Sequence, residues 1–142
     1  STLNDTDYAL IEFHPTATAD YIAQSLYKVE NAGYTPVLAH IERYPDLFKN
    51  IKMIEQIIEG GAYIQVNASS VEGRLGGGVK RQIIKLMKKG LVHFVATDAH
   101  SNRSRAPQLE ECIRYIEKKL GSDYVKKLFI DNPEKMVHNE YI

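Results

Sequence analysis

The 142-residue sequence has one cysteine, no excess of either charge and no long apolar run. The lone Cys112 excludes an internal disulfide framework. With 18 basic and 18 acidic residues the net charge is zero when histidine is neutral. Global attraction to nucleic acid or to an acidic membrane is therefore disfavoured. No apolar run approaches the ~20 residues that a membrane-spanning helix needs. No signal-peptide pattern opens the chain, so a cytoplasmic location is expected. No Gly-Lys-Ser/Thr follows the glycines of Gly73–Lys80, which excludes a phosphate-binding P-loop. Ser69 and Ser70 lack the Gly-x-Ser-x-Gly context of a serine hydrolase. The length excludes a closed (β/α)8 barrel, which takes about 250 residues.

What is present suits one globular domain. The chain is 44% hydrophobic and 25% charged, enough to bury a core and too apolar for disorder. Four near-continuous apolar runs read as buried parallel strands: Tyr8–Glu12, Thr35–His40, Ala62–Asn67 and Leu91–Asp98. Between them lie segments with helical spacing. Ile22, Leu26 and Val29 mark the first, Ile51, Ile54 and Ile58 the second, and Ile83, Ile84 and Met87 the third. Each ends at glycine: Gly33, Gly60-Gly61 and Gly90. A fourth follows through Leu109, Cys112, Ile113, Ile116 and Leu120, then a short helix from about Ser122 and a last turn after Pro133. The repeat is that of successive βα units. Gly76-Gly77-Gly78 reads as the most flexible loop, and Lys80, Arg81, Lys85, Lys88 and Lys89 as a solvated helix face.

The chemically capable side chains fall at one kind of place. Glu12 ends the first run, His40 the second and Asn67 the third, and Asp98 and His100 close the fourth. In parallel α/β folds the carboxyl ends of the strands face the site. Imidazole with carboxylate suits zinc, manganese or iron. A strand-end carboxylate can also bridge two ions, an arrangement that activates water and clamps a phosphoryl group. Taken alone, Glu12 also reads as a helix cap or a partner of Arg43, and His40 as a hydrogen-bonded core histidine. Asp98-Ala99-His100 brings two donors to one point and is harder to read as structural. Arg43 lies three residues after His40 and Arg105 five after His100. A guanidinium binds phosphate oxygens bidentately, although each arginine taken alone also fits a surface ion pair. His14 reads as a loop residue, His93 as a packed residue of the fourth strand and His138 as exposed.

These residues carry a resemblance. Ala9-Leu10-Ile11-Glu12-Phe13, Pro36–Tyr44 with its Ala-His-Ile-Glu-Arg-Tyr, Gln65–Ser70, and Gly90–His100 with Arg105-Ala106-Pro107 occur in order. Asp131–Met136 completes the series. The chain resembles the PHP-type, manganese-dependent protein tyrosine phosphatases of bacterial capsule and exopolysaccharide gene clusters (the CpsB/YwqE-like family). The resemblance implies part of a distorted, TIM-like (β/α)7 barrel, about its last four βα units, with a cluster of up to three metal ions. By position Glu12 is the bridging carboxylate and His40, Asp98 and His100 are further ligands. Arg43 and Arg105 match arginines that hold the phosphate, and Asn67 is a weaker candidate for substrate contact. The implied metal is manganese, with iron or zinc as alternatives. The implied reaction is attack of a metal-activated hydroxide on phosphorus, and the implied substrate is the phosphotyrosine tail of a bacterial tyrosine kinase.

The departure from the family is also specific. Members open with a His-x-His motif on the first strand and add further ligands before the Glu12 position, and no His-x-His occurs in this sequence. The chain therefore reads as the C-terminal portion of a family member, with an incomplete ligand set. It is expected to pair with another copy or with an N-terminal segment. A small phosphate monoester such as histidinol phosphate is the alternative substrate, and a non-catalytic scaffold is the alternative role. If the ligand reading holds, Asp98→Ala and His100→Ala lower the bound metal measured by elemental analysis. Arg105→Ala weakens phosphate binding and leaves the metal in place.

Overall fold

The computed structural model describes residues 2–3, 5–97 and 105–142, and for 105–108 it describes the main chain alone. Four strands, β1 (Tyr8–Ile11), β2 (Thr35–Leu38), β3 (Tyr63–Asn67) and β4 (Phe94–Ala96), form one sheet in chain order. Every pairing between them is parallel, with Ile11 beside Leu38, Leu38 beside Ile64, and Asn67 beside Ala96. Helix α1 (Ala19–Asn31) joins the first two strands, and α2 (Pro45–Phe48) with α3 (Ile51–Glu59) leads to the third. Helices α4 (Ala68–Val71) and α5 (Gly77–Lys88) lead to β4, which α6 (Arg105–Leu120), α7 (Ser122–Lys126), a π-helical turn (Lys127–Asp131) and α8 (Asn132–Val137) follow.

Local chemistry sets the helix ends. The Thr18 hydroxyl accepts from the Tyr21 N–H, which caps α1. The chain leaves α1 through Gly33 at φ +93°, where the Gly33 and Tyr34 N–H groups return to Glu30 and Val29 carbonyls. Only glycine takes that backbone conformation at little cost.

Strand alternation divides the apolar residues between two faces. Ile11, Leu38, Ile64, Val66 and Val95 join Ile22, Leu26, Ile54, Ile83, Leu86, Cys112 and Ile116 in the main core against the helices. On the opposite face Tyr8, Val37 and Phe94 form a smaller cluster, covered by Leu3, Tyr63, Met136 and Ile142. The last residues hold this cover down at the amino ends of the strands. The Tyr8 hydroxyl donates to the Glu140 carbonyl, and the Ile142 N–H donates to the Tyr63 hydroxyl at 2.9 Å. The Asn139 side chain accepts from the Asp7 N–H and donates to its carboxylate. Toward the carboxyl ends the same face opens, and Leu10 is 37% exposed.

Several details differ from the pattern read in the sequence. β4 is shorter than its apolar run, because ladder pairing with β3 begins at Phe94. Leu91 and Val92 are buried ahead of it without joining a strand. His93 therefore precedes the strand. Its Nδ1 accepts from the Ile64 N–H at 3.0 Å, and its carbonyl accepts from Asn132. Gly77 and Gly78 form the first turn of α5 instead of a loop, with Gly76 at φ +102° just before it. The buried stripe of α3 is Ile54 and Ile57, with Ile51 and Ile58 only half-buried. Lys80 leaves the solvated face and sets its ammonium 4.1 Å from the centre of the Tyr115 ring.

His93 gives the fold a pH dependence. Burial pushes its imidazole down to about 4, and a proton on Nδ1 would also confront the Ile64 N–H. The unfolded chain takes up that proton below about 6.5, while the folded chain waits until about 4. The stability contributed by neutral His93 is thus complete above about pH 6.5 and declines as the pH falls toward 4. The loss by pH 4.5 is on the order of 2 kcal/mol. Burial raises Glu30 and Glu72, and their slopes run the opposite way. Comparison with His93→Asn, which keeps an oxygen near the Nδ1 position, therefore isolates the histidine. Urea unfolding at pH 7 and pH 4.5 is expected to show a smaller difference in the variant; equal differences would count against this assignment.

Candidate functional site

Parallel pairing places the carboxyl ends of the four strands along one side of the sheet. Glu12 follows Ile11 directly, and the Ala39 N–H continues the ladder to the Ile11 carbonyl at 3.0 Å. That sets Glu12 beside Ala39 and brings His40, the next residue, within its reach. His40 Nε2 lies 2.9 Å from Glu12 Oε1, with the carboxylate accepting. The imidazole is mostly buried, at 14% side-chain exposure, whereas the carboxylate is 64% exposed. One donor is fixed by packing and the other faces outward. His40 Nδ1 is buried and has no hydrogen-bond partner among the described residues.

The main chain at His40 is strained. Its φ of 38° and ψ of 60° lie in the left-handed region, which costs a non-glycine residue on the order of 1–2 kcal/mol. The strain reverses the chain out of β2 into a 3-10 turn (Ile41–Arg43), closed by the Arg43 N–H on the His40 carbonyl. From this turn Arg43 projects into solvent, while Glu42 and Tyr44 are buried. Glu42 Oε2 accepts the main-chain N–H of Asn67 at 2.9 Å, which ties the turn to the end of β3. The Tyr44 hydroxyl accepts the Phe13 N–H at 3.1 Å, which ties it to the residue after Glu12. The Tyr44 ring also packs against His40 at 5.5 Å and edge-on against Phe13 at 6.0 Å. Burial pushes the Tyr44 phenol above its usual range, opposed by the Phe13 hydrogen bond.

The site residues expected from the sequence separate into three groups. The structure brings Glu12 and His40 into contact and places exposed Arg43 on the turn beside them. The helix-cap reading of Glu12 does not hold, because Thr18 caps α1. Among the described residues no ion pair joins Glu12 to Arg43. Asn67 is 7% exposed, and its N–H is already engaged by Glu42. Asp98 and His100 lie outside the described residues, as does the side chain of Arg105.

Of the other histidines, His14 is exposed, and its Nδ1 pairs with the Thr16 hydroxyl in the loop after β1. His93 sits at the opposite end of the sheet and His138 is exposed. Cys112 is fully buried, and burial with nearby Glu72 pushes its thiol up to about 12. It is no nucleophile. Glu42 and Tyr44 went unassigned in the sequence reading, although both stand in the His40–Tyr44 motif. The signal that finds them is burial of a carboxylate, which residue type alone does not reveal.

Glu12 and His40 bring a carboxylate and an imidazole into contact. Their chemistry fits a divalent ion of the borderline class, and the unpartnered His40 nitrogen gives a buried polar atom whose needs the fold does not meet. Among the described residues no group of three or more His, Cys, Asp or Glu side chains is arranged to hold a metal.

Comparison with known proteins gives this arrangement a context. Residues 1–138 match the family described as capsular polysaccharide synthesis, CpsB/CapC. The chain is 38% identical to the tyrosine-protein phosphatase CpsB of Streptococcus pneumoniae over 146 aligned residues, covering 99% of this chain and 60% of that protein. It is 34% identical to the tyrosine-protein phosphatase YwqE of Bacillus subtilis, covering 99% of this chain and 55% of that one. Crystal structures of those two proteins describe them as metal-dependent tyrosine phosphatases, and this fold matches with a TM-score of 0.86 at 35% identity. The match covers 99% of this chain and 57% of the solved one. The chain thus spans little more than half the length of the relatives it matches.

Proposed function

The chain belongs to the CpsB/CapC family of capsular polysaccharide synthesis, and we propose that it carries part of the active site of a metal-dependent protein tyrosine phosphatase. The observation that supports this most directly is the Glu12–His40 pair at 2.9 Å with exposed Arg43 on the adjoining turn. The family relation adds the reaction: the relatives are tyrosine phosphatases, and their solved structures are metal-dependent.

Glu12 and His40 would hold the metal, with Asp98 and His100 completing the donors that this chain supplies. Manganese is the proposed ion. A divalent ion bound there supplies acidified water as nucleophile and neutralises phosphoryl charge. Arg43, free of intramolecular ion pairs among the described residues, takes two nonbridging phosphate oxygens and stabilises the charge that builds on them. Arg105 is its proposed counterpart across the site. Cysteine chemistry has no part, since the one cysteine is buried and protonated. The products are inorganic phosphate and a tyrosine side chain. The proposed substrate is the phosphotyrosine tail of a bacterial tyrosine kinase controlling polysaccharide export.

We also propose the domain organisation, which the same geometry supports. Four parallel strands in chain order suit one arc of a PHP-type (β/α)7 barrel. The outer edge of β1 carries only a short bridge from Thr2 to Ala9 among the described residues. Beside it lies a groove of about 710 Å³ lined by Ile11, Val29, Ala32 and Tyr34. The proposed occupant is a βα unit from the family's N-terminal region, the region that bears the His-x-His ligands. The 55–60% coverage of the relatives supports this choice.

The proposal is tested with manganese and two substrates, a phosphotyrosine peptide and histidinol phosphate. The expected result is metal-dependent release of phosphate from the peptide, increased by adding the N-terminal region of a relative. Preference for the small ester would move the substrate assignment. Absence of both turnover and bound metal, even with the N-terminal region present, would leave a scaffold role. Manganese added to the chain is expected to broaden the NMR signals of Glu12 and His40 while sparing His93 and His138.

A further inference from the structure

The turn after β2 holds two buried side chains that a role in packing alone does not explain. Glu42 is 5% exposed, and among the described residues one carboxylate oxygen accepts a single N–H while the other, Oε1, is buried without a partner. A carboxylate so placed loses more solvation than one hydrogen bond returns. An apolar side chain of similar volume would serve stability better. Tyr44 is fully buried, and its hydroxyl spends itself on a main-chain N–H next to Glu12. The strained His40 stands two residues before Glu42 on the same turn. Three costs therefore fall within five residues, and each tether ends on a strand terminus of the site.

We propose that Glu42 and Tyr44 are positioning residues that clamp the His40–Arg43 turn from opposite sides. Glu42 fixes the turn to β3 through the Asn67 N–H. Tyr44 fixes it to the end of β1 through the Phe13 N–H and braces the His40 ring. Together they set the distance between Glu12 and His40 and the direction in which Arg43 leaves the surface. This clamp rests on the metal-site reading for its effect on function, but its geometry is measured separately. Neither side chain would touch substrate.

The test uses the 142-residue chain with manganese alone as probe and three variants. Glu42→Ala removes the acceptor for Asn67, Glu42→Gln keeps an oxygen there, and Tyr44→Phe removes only the hydroxyl. Manganese affinity is read from the spin-resonance signal of the free ion and scaled to the folded fraction from circular dichroism. Amide hydrogen exchange is read at Asn67 and Phe13. Glu42→Ala is expected to weaken manganese binding about 10-fold, as loss of groups that orient a ligand does, and to speed exchange at Asn67. Tyr44→Phe is expected to weaken binding and speed exchange at Phe13. Glu42→Gln is expected to restore both properties, which a role in bulk stability would not separate from Glu42→Ala.

Unchanged affinity per folded molecule in all variants, or a Glu42→Gln as damaged as Glu42→Ala, would overturn the clamp. Should Glu42→Ala not fold, Glu42→Gln and Tyr44→Phe still decide: intact binding in the first with weakened binding in the second supports the proposal, and any other pattern refutes it. Should the parent chain bind no manganese, the metal-site reading fails and exchange alone judges the clamp. Local loss of protection then supports it, and unchanged protection overturns it.

Discussion

Parallel pairing in chain order governs where every chemically capable group of this protein sits. A parallel ladder sends all strand carboxyl ends to one side, so residues far apart in sequence become neighbours without further instruction. Glu12 and His40 meet because Ile11 and Leu38 are paired, and Asn67 joins them because β3 is the next strand. The helices return the chain to the other side each time, and their apolar stripes bury one face of the sheet. A slip by one residue between β1 and β2 would turn one strand's apolar residues away from the helices and separate Glu12 from His40. Fold and function therefore depend on the same registers.

The two ends of the sheet are built differently. At the amino ends Tyr8, Tyr63, Asp7 and the His93 carbonyl all have partners drawn from residues 132–142. At the carboxyl ends the structure leaves a His40 nitrogen and a Glu42 oxygen unmet, strains the His40 main chain and exposes Leu10. Glu30 and Glu72 also carry unmet oxygens, and Asp5 and Asn139 also take positive φ, so what sets the carboxyl ends apart is that strain and unmet demand share one turn there. Such local sacrifices are the usual mark of a site.

Much of this was legible in the residues. The four apolar runs located all four strands, and the helical spacings located the long helices, because burial on both faces leaves a continuous apolar signature. Glu12 and His40 stood out as polar residues ending apolar runs, and the structure joins them. The limit of the β4 strand was not legible. Leu91 and Val92 are as apolar as strand residues, and only the position of β3 decides where pairing starts. The helical state of Gly77 and Gly78 was equally hidden, since glycine's own preference is overridden by the turn that Gly76 begins. Glu42 and Tyr44 looked like ordinary members of a polar turn. Their burial arises from neighbours contributed by β1 and β3, and no local pattern encodes it.

The tethers at the amino ends also set an order of events during synthesis. The Tyr8–Glu140 and Asp7–Asn139 hydrogen bonds each span 132 positions of the chain. The βα units can pair as soon as each follows its predecessor out of the ribosome, since their contacts are between consecutive segments. The second apolar cluster has no such liberty. Tyr8 waits for Met136 and Ile142, which lie well over a hundred positions further along the chain. Until then an aromatic patch on the nascent sheet stays uncovered, so this face is the one that a chaperone would have cause to shield.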